Sequence, residues 1–195
     1  MTARLEVIVG PMFSGKTERL IAELHRVGYA RKRTRILKPS SDSRTNGSIA
    51  SRAVMPEGTT RVTKELSAIA IGSEDALVEQ FARQDYDVLA IDEAQFMGMY
   101  LVPRLRTLLR ERRDSDLRII VAGLDLNFAE EPFGPIPGLL AIANSIEKLT
   151  AVCMQCGADN AHLTQRLIAG DASLDVGDIE KYEARCRACY EPPTV

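Results

Sequence analysis

The sequence predicts an α/β protein: a parallel sheet flanked by helices, followed by a small C-terminal unit of different composition. Three observations predict it. Nearly continuous apolar runs alternate with helical periodicity from residue 5 to residue 124, as in a sheet covered on both faces. A glycine-bearing loop joins the first apolar run directly to the first helix. All four cysteines fall in two CxxC pairs in the last quarter of the 195 residues. A chain of this length can hold one domain with a good core, or one domain plus a small appendage.

The elements follow in order. "LEVIVG" (5–10) is a buried strand leading into the loop, and a helix starts at about Gly15. On that helix Leu20, Ile21, Leu24 and Val27 share one apolar face, with Gly28 near its end. "TRILKP" (34–39) is the next strand, stopped by Pro39. Residues 40–60 are rich in Ser, Gly, Asn and Arg and read as a long functional or mobile loop. A helix over 73–83 and the strand "YDVLAID" (86–92) come next. A helix over 100–112 follows, with Pro103 confined to its first turn. "LRIIVAGL" (117–124) is a further strand. The composition changes near 149, dividing the chain into 1–148 and 149–195.

Hydrophobic content of 45% and charged content of 27% are ordinary for a globular protein. A net charge of −2 offers no global attraction to nucleic acid or an anionic membrane. The run "RKRTR" (31–35) reads as a solvated basic surface rather than a phosphate site. The N-terminus lacks a secretory h-region and no apolar stretch is long enough to span a bilayer. A cytoplasmic location is expected. In that reducing compartment the CxxC pairs point to metal rather than to disulfides.

"GPMFSGKT" fits GxxxxGK[ST] in full, comprising Gly10, Pro11, Met12, Phe13, Ser14, Gly15, Lys16 and Thr17. Successive backbone N–H groups and a helix N-terminus cradle phosphate oxygens in such a P-loop. Lys16 then reaches the β/γ-phosphates and the Thr17 hydroxyl ligates Mg²⁺. "LAIDEAQF" (89–96) ends an apolar run in two acids. Asp92 fits the Mg²⁺ shell at the carboxyl end of a strand, against the alternative of a solvated loop acid. Glu93 fits a base, acting either on water or on a substrate hydroxyl.

Cys153 and Cys156 form one knuckle, Cys186 and Cys189 the other, with 29 residues between them. Four thiolates suit a closed structural Zn²⁺ site; a redox pair is the competing reading. The long insertion implies a second task for that segment.

These pieces in this order resemble the type II thymidine kinases. The matching stretches are "GPMFSGKT", "DSR" (42–44), "DEAQF" (92–96), "GLDLNF" with "PFG" (123–134), "KLTAVCMQCG" (148–157), "LTQRL" (163–167) and "EKYEARCRACY" (180–190). The resemblance implies a P-loop (RecA-like) sheet and a zinc-ribbon-like domain carrying a lasso loop that closes over the base. It implies that Glu93 is the general base on the nucleoside 5′-hydroxyl and that ATP is the phosphoryl donor. Met12, Phe96, Leu124, Phe128 and Thr164 match positions lining the thymine pocket. Val176, Gly177, Asp178 and Ile179 lie in the lasso, with Tyr182 at its end. Asp42 and Arg44 match a polar loop beside the phosphates. The resemblance further implies thymidine or a related deoxynucleoside such as deoxyuridine as substrate, a homotetramer, and feedback inhibition by the deoxythymidine triphosphate product. Three departures stand out: Met97 where a second aromatic is frequent, Asp178 where a second glycine is usual, and Glu130 with Glu131 where basic residues are common.

The letters DEAQ also occur in helicases, but one acidic lobe cannot supply the two motor domains a helicase closes on ATP. A stand-alone P-loop ATPase or a zinc-ribbon nucleic-acid adaptor is the rival of a different class. It predicts nucleotide hydrolysis without a nucleoside and salt-sensitive nucleic-acid binding. Aromatic content of 5% and the absence of Trp leave few stacking residues for it. His25 and His162 read as surface or packing residues.

Overall fold

The computed structural model describes residues 2–42, 44, 47–55, 59–168 and 180–192. Six strands form an all-parallel sheet: β1 (Arg4–Val9), β2 (Thr34–Pro39), β5 (Ile69–Ile71), β6 (Val88–Ile91), β7 (Arg118–Gly123) and β8 (Ser145–Lys148), in the order β5-β2-β6-β7-β1-β8. β1 and β6 flank β7, so the loops leaving these three neighbours meet at one carboxyl edge. That edge is where open α/β sheets bind ligands.

Alternation along the strands divides the core. Leu5, Val7 and Val9 of β1 face α2 (Glu74–Ala82), α3 (Leu101–Glu111) and α4 (Ile136–Ile142), together with Leu37, Leu89, Ile119 and Val121. Ile8, Val88, Ala90, Ile120 and Ala122 face the other way, toward Leu20, Ile21, Leu24 and Val27 of α1 (Lys16–Tyr29). The four apolar positions read from the sequence are the buried stripe of α1. Ser73 caps α2, its Oγ accepting from the Ala76 N–H at 3.2 Å. Pro103 is the third residue of α3, where its missing N–H costs no helical bond.

One expectation is corrected. Residues 40–60 are not a long loop: β3 (Ser48–Val54) pairs antiparallel with β4 (Thr60–Ser67). Ile49 is buried against the α1 face, with Leu66 and Ala68 packed beside it. The other face of the hairpin is polar, so its alternation reads as loop composition rather than as an apolar run.

After β8 come the two cysteine knuckles and the antiparallel pair β9 (Leu163–Arg166) with β10 (Tyr182–Arg185). Among the described residues no helix is long and apolar enough to cross a membrane. The run 31–35 sits at the opposite end of the sheet from the phosphate loop and is ion-paired. Lys32 meets Asp116 at 3.1 Å, Arg33 meets Asp87 at 3.0 Å and Arg35 meets Asp85 at 2.8 Å.

Candidate active site

The phosphate loop turns on its glycines. Gly10 has φ +148°, and a Cβ there would lie 2.5 Å from the Leu149 carbonyl oxygen. Gly15, at φ +81°, opens α1 in the left-handed region. The Pro11 carbonyl accepts from Ser14 Oγ at 2.8 Å and from Lys16 Nζ at 2.6 Å, which folds the loop over its own lysine. Lys16 is buried, and burial pulls its ammonium down to about 8 against the opposing pull of Glu93, Asp92 and Asp125.

Thr17 Oγ1 donates to Asp92 Oδ2 at 2.9 Å. Adjacent oxygen ligands of an octahedral Mg²⁺ at about 2.0–2.1 Å stand roughly 2.9 Å apart, so this hydroxyl–carboxylate pair has the spacing and the hard donors that Mg²⁺ takes. Burial, reinforced by the charge of Glu93, pushes the Asp92 carboxyl up to about 7. A bound cation would relieve that repulsion.

Glu93 follows directly and takes φ +51°, a left-handed conformation uncommon outside glycine. Its N–H donates to Asp92 Oδ1 at 3.0 Å. Arg44 Nη2 donates to Glu93 Oε1, and Gln95 Nε2 donates to Glu93 Oε2 at 2.5 Å. Burial works to raise the Glu93 carboxyl, but the guanidinium of Arg44 and the ammonium of Lys16 hold it below its ordinary value. Behind Arg44 the network continues: Arg44 Nε donates to Asp42 Oδ1 at 2.7 Å, and the buried Lys38 Nζ lies 3.0 Å from Asp42 Oδ2. Arg52 Nη2, from the hairpin, donates to the Arg44 carbonyl at 3.0 Å.

Beside the carboxylates the cleft becomes apolar. Phe96, Leu124, Phe128, Phe133, Thr164 and Tyr182 line it, and Met12, Phe13, Asp42 and Arg44 share the same space. Phe96 and Phe133 meet edge to face, with centroids 5.6 Å apart. Arg166 lies over the Phe128 ring at 5.0 Å. Thr164 Oγ1 accepts from the Met12 N–H at 3.1 Å, tying the knuckle unit to the phosphate loop. Every phosphate-, magnesium- and nucleoside-site residue read from the sequence and lying in the described part is brought to this cleft or to the loop behind it. Val176, Gly177, Asp178 and Ile179 lie outside the described residues.

Three further residues belong to the site and were not singled out by the sequence. Phe133 lay inside the quoted "PFG" and carried an aromatic signal. Gln95 lay inside "DEAQF". Lys38 gave no sign, because a lysine on a strand next to proline looks like surface. Two of the three departures resolve locally. Met97 is buried in the core rather than facing the cleft. Glu130 and Glu131 sit in a turn closed by Asn127 Oδ1, which accepts from the Ala129 and Glu131 N–H groups, each at 2.9 Å. His25 is exposed on α1. His162 Nδ1 lies 3.1 Å from the Asn160 carbonyl, away from the carboxylates.

The four cysteines are free thiols whose sulfurs all lie within 4.8 Å of one another. Cys156 Sγ and Cys186 Sγ are 3.8 Å apart. Tetrahedral Zn²⁺ with Zn–S bonds of about 2.3 Å requires sulfurs roughly 3.8 Å apart, whereas a disulfide requires about 2.05 Å. The set can hold a zinc ion with no ligand position left open. Phe13 of the phosphate loop packs against this cluster.

Comparison with known proteins gives a consistent result. The family model described as thymidine kinase matches residues 3–190. A thymidine kinase of Deinococcus deserti is 48% identical over 190 residues, covering 94% of this chain and 92% of that protein. A thymidine kinase of Deinococcus radiodurans is 44% identical over 200 residues, covering 94% and 88%. Among solved structures, domain III of the Thermotoga maritima replication initiation protein DnaA is similar at a TM-score of 0.43 and 19% identity, covering 74% of this chain and 54% of that one. That last likeness is too distant to carry an argument.

Proposed function

This chain belongs to the thymidine kinase family, and from that premise we propose that it transfers the γ-phosphoryl group of ATP to the 5′-hydroxyl of thymidine. The observation that carries the reading is one cleft that joins a phosphate loop, a carboxylate pair and an aromatic-walled chamber. A nucleotide hydrolase has no need of the chamber.

The phosphate chain of ATP lies along the backbone N–H groups of residues 10–17, with Lys16 against the β/γ oxygens. Thr17 and Asp92 would hold a Mg²⁺ ion, which would neutralise charge on the phosphate oxygens. The thymine ring lies between the Phe96–Phe133 pair and the Leu124, Phe128 and Thr164 side, with Tyr182 holding the sugar end. Arg44 turns from Glu93 to the phosphates and so frees Oε1. Glu93 then takes the 5′-hydroxyl proton as that oxygen bonds to the γ-phosphorus and the bond to the β-bridging oxygen of ADP breaks. The apolar walls keep water from competing.

Deoxyuridine as a second substrate, a homotetramer and inhibition by deoxythymidine triphosphate complete the reading on the resemblance of the sequence, with a structural zinc at the four clustered cysteines and a cytoplasmic location. The test is Glu93→Gln. Turnover should fall about 10²–10⁴-fold, the usual contribution of a general base, with Mg-ATP affinity largely kept. Turnover near that of the native protein would remove Glu93 from the reaction.

A further inference from the structure

We propose that Gln95 is the positioning residue for the catalytic carboxylate, holding Glu93 in place through an amide bridge that can be oriented in only one way. The inference rests on the reading of Glu93 as the general base. Gln95 is 3% exposed and lies in a short 3-10 turn, Ala94–Phe96. Its Oε1 accepts from the Leu124 N–H at 3.0 Å, and its Nε2 donates to Glu93 Oε2 at 2.5 Å.

A side-chain amide can in general be turned end for end. Here the two partners forbid it. The Leu124 N–H only donates, and an ionised carboxylate only accepts. Turning the amide would set donor against donor at Leu124 and acceptor against acceptor at Glu93, leaving buried polar groups unsatisfied. The bridge therefore has a fixed polarity that favours the ionised carboxylate.

Space fixes the bridge as firmly as polarity does. A Cβ at Gly123 would lie 2.7 Å from Gln95 Oε1, and a Cβ at Gly134 would lie 2.3 Å from the Gln95 carbonyl oxygen. Two glycines thus make the room that Gln95 fills, one at the end of β7 and one at φ +51° before α4. Leu124 is itself a wall of the nucleoside chamber. The bridge sets the carboxylate relative to the surface on which the substrate rests. Arg44 grips the other oxygen of Glu93 from the connection between β2 and β3, so Gln95 is the partner anchored to the central sheet.

Gln95→Glu keeps an acceptor for the Leu124 N–H and replaces the amide donor by a second carboxyl group, which repels the Glu93 carboxylate unless it holds a proton. Gln95→Met removes both without adding charge. In each, kcat should fall on the order of 10²-fold, as for an ångström-scale misplacement of a reacting group, while KM for thymidine and for ATP changes less than about 3-fold. Each substitution is also made in the Glu93→Gln background. Transfer is read there as single-turnover formation of thymidine monophosphate with enzyme in excess, so that slow residual reaction is measured. A residue acting only through Glu93 should add less than about 2-fold in that background. An equal loss in both backgrounds, a rise in KM with kcat unchanged, or no loss in the native background would each overturn the proposal. Loss in Glu93→Gln without loss in the Gln95 variants would overturn the bridge alone. Retained turnover in Glu93→Gln would overturn the base reading and the bridge with it.

Discussion

Glu93 and Gly134 are two residues in left-handed backbone, and both meet Gln95, Glu93 at its side-chain amide and Gly134 at its backbone carbonyl. Glycine adopts this region freely, but Glu93 is strained there; such strain persists only where surrounding packing fixes it, and it concentrates at functional sites. Gly134→Ala should therefore act beyond its own position. The new methyl group both resists φ +51° and strikes the Gln95 carbonyl, so a loss of about 1–3 kcal/mol is expected, together with reduced turnover. Gly28→Ala is the control. Gly28 lies within α1 and a methyl group there meets nothing within 4 Å, so a gain of about 0.5–1 kcal/mol is expected. Urea denaturation of both variants checks the pair; equal effects of one sign would contradict it.

At the scale of elements, the sheet is tied to α1 by charge as well as by its apolar stripe. Glu23 is a buried acid on α1, and Arg118, at the start of β7, bridges it at 2.8 Å and Glu6 of β1 at 2.6 Å. Burial acts to raise the Glu23 carboxyl, but hydrogen bonds from Arg118 and Arg19 override it and hold it at about 2, below the ordinary 4.5. A folded-state value below the unfolded one stabilises the fold above pH 4.5, and that stability is lost as pH falls toward 2. Glu23→Gln should cost about 2–3 kcal/mol at neutral pH. The gap from the native protein should narrow steadily below about pH 4.5 in denaturation experiments, whereas a constant gap would mean that packing, not charge, is lost. The same elements show what the sequence discloses. β1, β2, β6 and β7 were legible because central parallel strands are buried on both faces and read as unbroken apolar runs. β8 was not: it is a four-residue edge strand, "SIEK", with Ile146 half-exposed, so no run forms. The β3–β4 hairpin was hidden because only one face packs, on α1. Site residues were legible where a motif fixes spacing, as in Lys16, Thr17 and the cysteines. Gln95 and Lys38 were not, since their roles come from contacts that no motif fixes: the Leu124 N–H donates to Gln95 Oε1 from the end of the neighbouring strand, and Lys38 pairs with Asp42 four residues on.

For the whole molecule, the cysteine cluster is packed against the phosphate loop. Phe13 packs on the cluster, Met12 is bonded to Thr164, and Tyr182 opens the strand that leads to Cys186. Removing the metal should therefore cost more than the small unit. Cys186→Ser, or treatment with a strong chelator, should release about one zinc per chain, lower the melting temperature and raise KM for the nucleoside. Metal analysis beside steady-state kinetics checks this; metal loss with unchanged nucleoside KM would separate the two units. The central claim is that the partly buried Glu93 carboxylate acts on an alcohol and not on water. It is tested most directly by ADP release from Mg-ATP, with and without thymidine, beside a panel of other nucleosides. Release that depends on thymidine, with thymidine monophosphate formed in step, is the predicted result. Release at the same rate whatever nucleoside is present would return Glu93 to water and contradict the kinase reading.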